Sequence, residues 1–421
     1  MKRVLIMSPY FPPSNAADMQ RVRMSLAYFR DFNWHAEVVA VDERYSDMQK
    51  DKLLLQSIPT DIKIHHIKAL DKAWTSKLGL GSLALRSMWY YKKAVDKLLK
   101  STKFDLIYFS TTQFPVCILG ARWKKKFGVP YVIDMQDPWH SEYYQNKPKD
   151  QRPPKYWFSY RLNKYMEPRA MKHVDGLISV SNAYIYNLKL RYPHLVNIPT
   201  ALITFGYLER DFAIASANNH KFEQLLDPLY KNIVYIGRGG ADMHQAIKPL
   251  FAVLKEQSQL FENLRFYFIG TSYAPAGTGK ATIQPLARQY GVEDQVIEIT
   301  DRLSYYHTLA TLQKADALFI PGSDDPAYTA SKIYPYILSD KPLLAIFNPD
   351  SPAIATLQEF GIERVYGYDN VPGTDLIDFL SAIALNKADK PILNFSAIKK
   401  YSAQHMTQLQ CELFEWIVQQ N

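Results

Sequence analysis

Two α/β domains in tandem, each built on a parallel sheet, are what this sequence predicts. Three observations carry that expectation. Short apolar runs alternate with helix-patterned stretches through roughly the first 200 residues, the arrangement of βαβ units rather than hairpins. The same alternation restarts at Asn232. Many of the runs lead into polar or proline-containing loops, where open α/β sheets bind ligands.

The first run, 3–7, is stopped by Ser8-Pro9-Tyr10-Phe11-Pro12-Pro13. Helical spacing follows at Val22, Leu26 and Phe29, and 36–41 is the next strand. Runs at 106–109, 131–133 and 176–180 repeat the form. The second domain draws its strands from 232–236, 265–269, 295–299, 317–320 and 342–346, and 199–219 reads as the linker. Met406, Leu409, Leu413 and Ile417 lie at helical spacing within 397–419, predicting a terminal helix. The expected division is 1–205, 206–395 and 396–421. A chain of 421 residues suits two domains of ~100–200 residues each.

Composition narrows the class. With 47% hydrophobic and 22% charged residues the chain is globular, not disordered. Two cysteines far apart, Cys117 and Cys411, match no disulfide framework or zinc-ligand spacing and suit a reducing compartment. The apolar run at the start is shorter than the ~7–15 residues of a signal peptide, and no stretch approaches the ~18 that span a bilayer. A cytoplasmic protein, soluble or peripheral on the inner face of the membrane, is expected. Of the net charge of +9, residues 1–205 hold 32 basic and 17 acidic side chains, a net of +15, which leaves −6 for the rest. The first half therefore faces an anionic partner or presents a basic surface to solvent. An anionic membrane surface or an acidic substrate would serve; no recognised nucleic-acid module accompanies the basic half, so nucleic acid is not expected. The segment 72–100 mixes Trp74, Leu78, Leu80, Leu83, Leu85, Met88, Trp89, Tyr90 and Tyr91 with Lys77, Arg86, Lys92, Lys93, Lys97 and Lys100. That mixture suits an interfacial helix, and equally a core helix with a solvated lysine face.

Four loops hold candidate chemistry. In the first, Asn15, Ala16, Ala17 and Asp18 precede a helix; small residues admit a ligand to the backbone and a helix N-terminus attracts an anion, though Asn15 or Asp18 equally serves as a cap. The second runs from a strand into Asp134, Asp137 and His140; Asp137 or His140 could bind a sugar hydroxyl or move a proton, and Asp137 could instead cap the turn before Pro138. The third, Gly237-Arg238-Gly239-Gly240, joins a strand to a helix, offering close backbone approach and a bidentate arginine. The fourth places Ser331 and Lys332 at the start of a short helix with Tyr334, Pro335 and Tyr336. The stretch 276–281 departs from a phosphate-binding P-loop at Ala274 and Ala281 and reads as a surface loop.

Taken together these loops resemble the GT-B glycosyltransferases of the broad family 4-like group, over nearly the whole chain. VLIMSPYFPPSNAADMQR is similar to the group's first strand, Pro-Pro loop and helix; YVIDMQDPWH to its Asp-x-x-Asp-Pro-Trp segment; ITFGYLERDF to its hinge; VYIGRGG to its donor loop; and SKIYPYILSDKPLLAIF to its most diagnostic stretch. The resemblance implies two Rossmann-like domains facing across a cleft, with the last helix crossing back to the first domain. It implies sugar transfer, with retention, from a nucleotide-sugar to a glycan or lipid-linked acceptor in cell-envelope or exopolysaccharide synthesis. The donor then contacts Gly237 to Gly240, Gly270, Thr271, Arg302, Ser331, Lys332 and Tyr336, with Asn15, Ala16 and Ala17 over its sugar; Asp137 and His140 serve the acceptor as catalytic residues.

Departures from the group's pattern concentrate in the fourth loop. Where two glutamates eight residues apart often stand, this chain has Ala327 and Pro335, and Asp340 replaces the usual glycine. A ribose contact then falls to Asp324 or Asp325. Met243 stands where a lysine is often found, leaving Arg238, Arg302 and Lys332 to neutralise the leaving diphosphate. There is no Asp-x-Asp motif, so no metal and no other cofactor is expected. A catalytically weak scaffold for a partner transferase and a nucleotide-sugar epimerase stay open as alternatives.

Overall fold

The structure, a computed structural model, describes residues 1–142, 145, 148, 149, 152, 156–326 and 333–420. It divides into two compact units, Met1–Gly206 with Tyr401–Asn421, and Tyr207–Lys400.

The first unit is built on a seven-stranded parallel sheet in the order β3-β2-β1-β4-β5-β6-β7. The strands are β1 (Lys2–Met7), β2 (Trp34–Val41), β3 (Lys63–Ile67), β4 (Leu106–Ser110), β5 (Tyr131–Met135), β6 (Gly176–Ser179) and β7 (Thr200–Leu202). Central strands such as β4, Leu-Ile-Tyr-Phe-Ser, are buried throughout because helices cover both faces, which is why they read as unbroken apolar runs. The helix Ala403–Gln420 belongs to this unit. Its Phe414 is fully buried, with its ring 5.5 Å from Trp34, 5.1 Å from Tyr108 and 6.4 Å from Phe29, and Gln410 donates to Ser25 Oγ at 3.0 Å.

The second unit holds six parallel strands in the order β10-β9-β8-β11-β12-β13. They are β8 (Lys231–Ile236), β9 (Leu264–Ile269), β10 (Val296–Ile299), β11 (Ala317–Pro321), β12 (Leu343–Phe347) and β13 (Val365–Gly367). Both orders reverse direction around the first strand of the unit, so the carboxyl ends of β1 with β4, and of β8 with β11, flank a crevice of the kind that takes ligands.

Several expectations need correction. The stretch 199–219 is not a bare linker: it contains β7 and the helix Glu209–Ala217. The terminal segment is two helices, Phe395–Lys399 and Ala403–Gln420, and the first of these lies in the second unit. Of the basic and aromatic residues in 72–100, Arg86 is buried, donating to the carbonyls of Leu70 and Tyr45 at 2.8 Å, and Leu83 and Tyr91 are core. Asp340, where the group the sequence resembles usually has glycine, adopts the left-handed backbone with φ 54°, the conformation a glycine takes without steric cost. Among the described residues no helix is long and apolar enough to cross a membrane.

The chain leaves the first unit at Gly206 and re-enters it at Tyr401. A Cβ added at Gly206 would sit 1.9 Å from the Tyr401 carbonyl oxygen, an approach open only to glycine. Gly206→Ala is therefore expected to destabilise the protein by about 1–3 kcal/mol, as forced overpacking does, read as a lower midpoint in a thermal melt.

Candidate functional site

In the first unit the loop that follows β1 is held down from several sides. Asp18 is buried, and its Oδ2 accepts from Thr111 Oγ1 at 2.8 Å, the Thr112 amide at 2.9 Å and Thr112 Oγ1 at 3.2 Å, on the loop after β4. Burial raises its carboxyl above the ordinary range, against the pull of those donors. Three residues on, Arg21 is wholly buried and its Nε lies 2.6 Å from Oδ2 of the equally buried Asp134 at the end of β5. The same oxygen accepts from Ser110 Oγ and Gln136 Nε2 at 3.0 Å and from Tyr108 Oη at 3.2 Å.

Gln136 opens the turn that carries Asp137 and His140. Asp137 is exposed and makes no hydrogen bond among the described residues; partial desolvation and, next, the charge of Asp18 raise its pKa. His140 is buried, and among the described residues neither ring nitrogen has a hydrogen-bond partner; its ring centroid lies 4.8 Å from that of Tyr160. Desolvation lowers its pKa, so the imidazole is neutral at pH 7 and able to take a proton. Its backbone is fixed by Glu167, which accepts the His140 amide at 2.9 Å and Tyr192 Oη at 2.9 Å and pairs with Arg191. A cavity of about 430 Å³ opens here, lined by Trp139, His140, Glu142, Tyr184, Asn187 and Arg191 among others.

In the second unit the Gly237–Gly240 loop leaves β8 beside the end of β9. The Gly239 amide donates to the Thr271 carbonyl at 2.8 Å, and a Cβ there would meet Thr282 Oγ1 at 2.7 Å and Thr271 Cβ at 2.8 Å. Arg238 forks onto Asp242, with Nη1 to Oδ1 at 3.1 Å, and Ser323 Oγ donates to the same carboxylate at 2.7 Å. Burial opposes the charge on Asp242, but these donors outweigh it and hold the pKa down. Arg302, after β10, is exposed with its guanidinium 4.5 Å over the Tyr273 ring, and Gly270 lies against its backbone. The result is a polar rim at the carboxyl ends of β8, β9 and β10, carrying Arg238 and Arg302 and suited to an anion.

Residues 70–199 match the model of the family described as Glycosyltransferase Family 4. No curated protein matches the chain. Among solved structures it is similar to Alr3699/HepE of Anabaena in complex with UDP, at 16% identity over 99% of this chain and 100% of that one, with a TM-score of 0.55. A glycosyltransferase from Rickettsia africae ESF-5 matches at 11% identity, over 100% and 99% of the two chains, with a TM-score of 0.56. UDP-GlcNAc 2-epimerase from Methanocaldococcus jannaschii matches at 12%, over 98% and 100%, with a TM-score of 0.53. The chain has the GT-B fold. The family 4-like resemblance, read from the sequence over nearly the whole chain, is met by the family model over residues 70–199.

Within the GT-B frame, Asn15, Ala16 and Ala17 lie on the loop anchored by Asp18, and Asp137 and His140 on the next turn, joined to it by Gln136 Nε2 donating to the Asp18 carbonyl at 3.2 Å. Neither Asn15 nor Asp18 caps the helix Gln20–Ser25, whose N-terminus has no side-chain cap. Gly237 to Gly240, Gly270, Thr271 and Arg302 gather on the second unit's rim. Tyr336, expected at the donor, is buried, and its hydroxyl bonds both the amide and the carbonyl of Ile236, at 2.7 and 3.0 Å, pinning the end of β8 from within. Thr271 Oγ1 is likewise turned to Glu298, at 2.7 Å. Ser331, Lys332 and Ala327 lie outside the described residues. Sequence reasoning missed Arg21, Glu167 and Asp242, and named Asp134 in the second loop without giving it a role. Asp134 alone carried a signal, a carboxylate closing an apolar strand.

Proposed function

We propose that the chain is a glycosyltransferase moving a sugar from a nucleotide-sugar to a hydroxyl of a glycan or lipid-linked acceptor in cell-envelope or exopolysaccharide synthesis, with retention and without a metal. The observation that carries the reading is the second unit's rim, where the glycine loop with Arg238 and the loop with Arg302 lie at the carboxyl ends of β8 and β10, on either side of β9. The diphosphate sits there; Arg238, Arg302 and Lys332 neutralise the charge that develops as it leaves, usually a large share of catalysis. Asn15 to Ala17 lie over the donor sugar. On the acceptor side neutral His140 takes up the hydroxyl proton or orients that hydroxyl, with Asp137 beside it. Metal independence rests on the absence of an Asp-x-Asp motif. The HepE structure holds UDP, which makes a UDP-sugar the first donor to try.

A thermal-shift panel of UDP-, GDP-, ADP- and CMP-sugars tests this. A donor at 100 times its dissociation constant adds ~2.7 kcal/mol of stability; no shift with any of them overturns the reading. The shared fold of the epimerase favours one second reading, and product analysis without acceptor separates the two: an altered sugar still on its nucleotide means epimerisation. Binding without turnover, with any acceptor, points to a scaffold.

The lipid-linked acceptor calls for attachment to an anionic inner membrane face. Trp74 and Trp89 are 77% and 58% exposed, and Lys92, Lys93, Lys97 and Lys100 project from the exposed side of the helix Leu83–Ser101, with Lys93 Nζ 5.3 Å over the Trp89 ring. Each basic residue near such a surface contributes ~1 kcal/mol, weakened by salt. Co-sedimentation with anionic but not neutral vesicles is expected, and its loss when Lys92, Lys93 and Lys97 become Glu. No sedimentation at low salt rules the attachment out and moves the acceptor to a soluble sugar.

A further inference from the structure

Arg21 touches four residues in two segments of the first unit at once. Its Nε meets Asp134 at 2.6 Å, its Nη2 donates to the Ile203 carbonyl at 2.7 Å, its Nη1 to the Thr204 carbonyl at 3.4 Å, and its guanidinium lies 4.8 Å over the Phe205 ring. Ile203 to Phe205 are the last residues before the chain leaves the unit at Gly206. Asp134 in turn holds Gln136, which donates both to it and to the Asp18 carbonyl. One buried charge pair therefore reaches the loop carrying Asn15 to Ala17, the turn carrying Asp137 and His140, and the segment by which the chain leaves the unit. A buried pair of this kind gives little net stability over an apolar replacement, so its value lies elsewhere. Arginine suits the role because its planar fork spends separate donors on a carboxylate and on two carbonyls, which a lysine ammonium cannot span.

We propose that Arg21 is a positioning residue that locks the exit segment 203–205 to the donor-side loop and the acceptor-side turn through Asp134 and Gln136. This rests on the transfer reading for its consequence in the reaction, but not for its structural content. The test is amide hydrogen exchange of the full chain in wild type and Arg21→Lys. Exchange in 203–206 and in 14–19 is expected to rise together by about tenfold or more, while β1 and β4 stay within about twofold of wild type. Unchanged exchange in either segment overturns the proposal. So does a uniform rise across the unit, which a merely structural contact would give. Should Arg21→Lys fail to fold, Gln136→Met decides: exchange rises in 14–19 and not in 203–206, and no rise in 14–19 overturns the link. With a donor found in the nucleotide-sugar panel, Arg21→Lys lowers kcat by about tenfold at unchanged donor KM, and an effect on KM alone overturns the positioning role. If no nucleotide-sugar binds, the transfer reading fails while the exchange result still decides this proposal.

Discussion

Arg21→Met is expected to destabilise the first unit by about 3–5 kcal/mol, because it leaves the Asp134 carboxylate buried without its counter-charge. Both partners have no solvent-exposed side-chain surface, so water cannot take over the role of the guanidinium. Tyr108, Ser110 and Gln136 still donate to Asp134. Neutral donors soften the loss without supplying a charge. At about 2–4 °C per kcal/mol for a unit of this size, the thermal midpoint falls by roughly 6–20 °C. Asp134→Leu alone leaves Arg21 uncompensated and costs a similar amount. The double variant removes both charges and recovers much of the loss, so the two effects are strongly non-additive. Additive losses, or a wild-type melt for Arg21→Met, would show that the pair does not hold this part of the fold.

That pair also shows where sequence reading stops. Strands such as β4 and β5 are legible because burial on both faces makes them continuous apolar runs. β3, Lys-Ile-His-His-Ile, is an edge strand with one buried residue, and its polar sequence hides it. β7, three residues at the other edge, is too short to show a period and was absorbed into the expected linker. The loops at the carboxyl ends of the strands were legible from Pro and Gly punctuation and from the family resemblance. Which of their side chains face a ligand was not. Tyr336 lies in a motif-like stretch, yet its hydroxyl is turned inward to Ile236. Arg21 looks like any other basic residue of a helix start, and only the fold brings it to Asp134, far along the chain. Arg86 misled for the same reason: among lysines and aromatics it read as part of an interfacial helix or of a solvated basic face, whereas its guanidinium is buried and bonds two backbone carbonyls. Composition reports the residue type, and tertiary packing decides whether a charge faces water.

Arg238→Ala is expected to lower kcat/KM for the proposed sugar transfer by about 2–4 kcal/mol in transition-state terms, roughly 30- to 900-fold. The side chain stands on the glycine loop after β8, whose Gly239 amide bonds the Thr271 carbonyl, with a fork geometry suited to two phosphoryl oxygens. In the structure that fork is engaged by Asp242, which Ser323 and the arginine together keep ionised. Asp242 therefore does two things: it aims the guanidinium, and it competes with a diphosphate for it. The two roles predict different outcomes. Arg238→Lys keeps the charge but loses the fork, and should recover only part of the lost rate. Asp242→Asn retains the shape while weakening the competing charge, so nucleotide-diphosphate affinity should rise even as kcat falls from poorer aiming. Steady-state kinetics with the donor from the nucleotide-sugar panel, alongside equilibrium binding of the nucleoside diphosphate, separates these terms. Wild-type turnover in Arg238→Ala would remove the diphosphate from this loop. Weaker nucleotide binding in Asp242→Asn would mean that the carboxylate supports the ligand instead of competing with it.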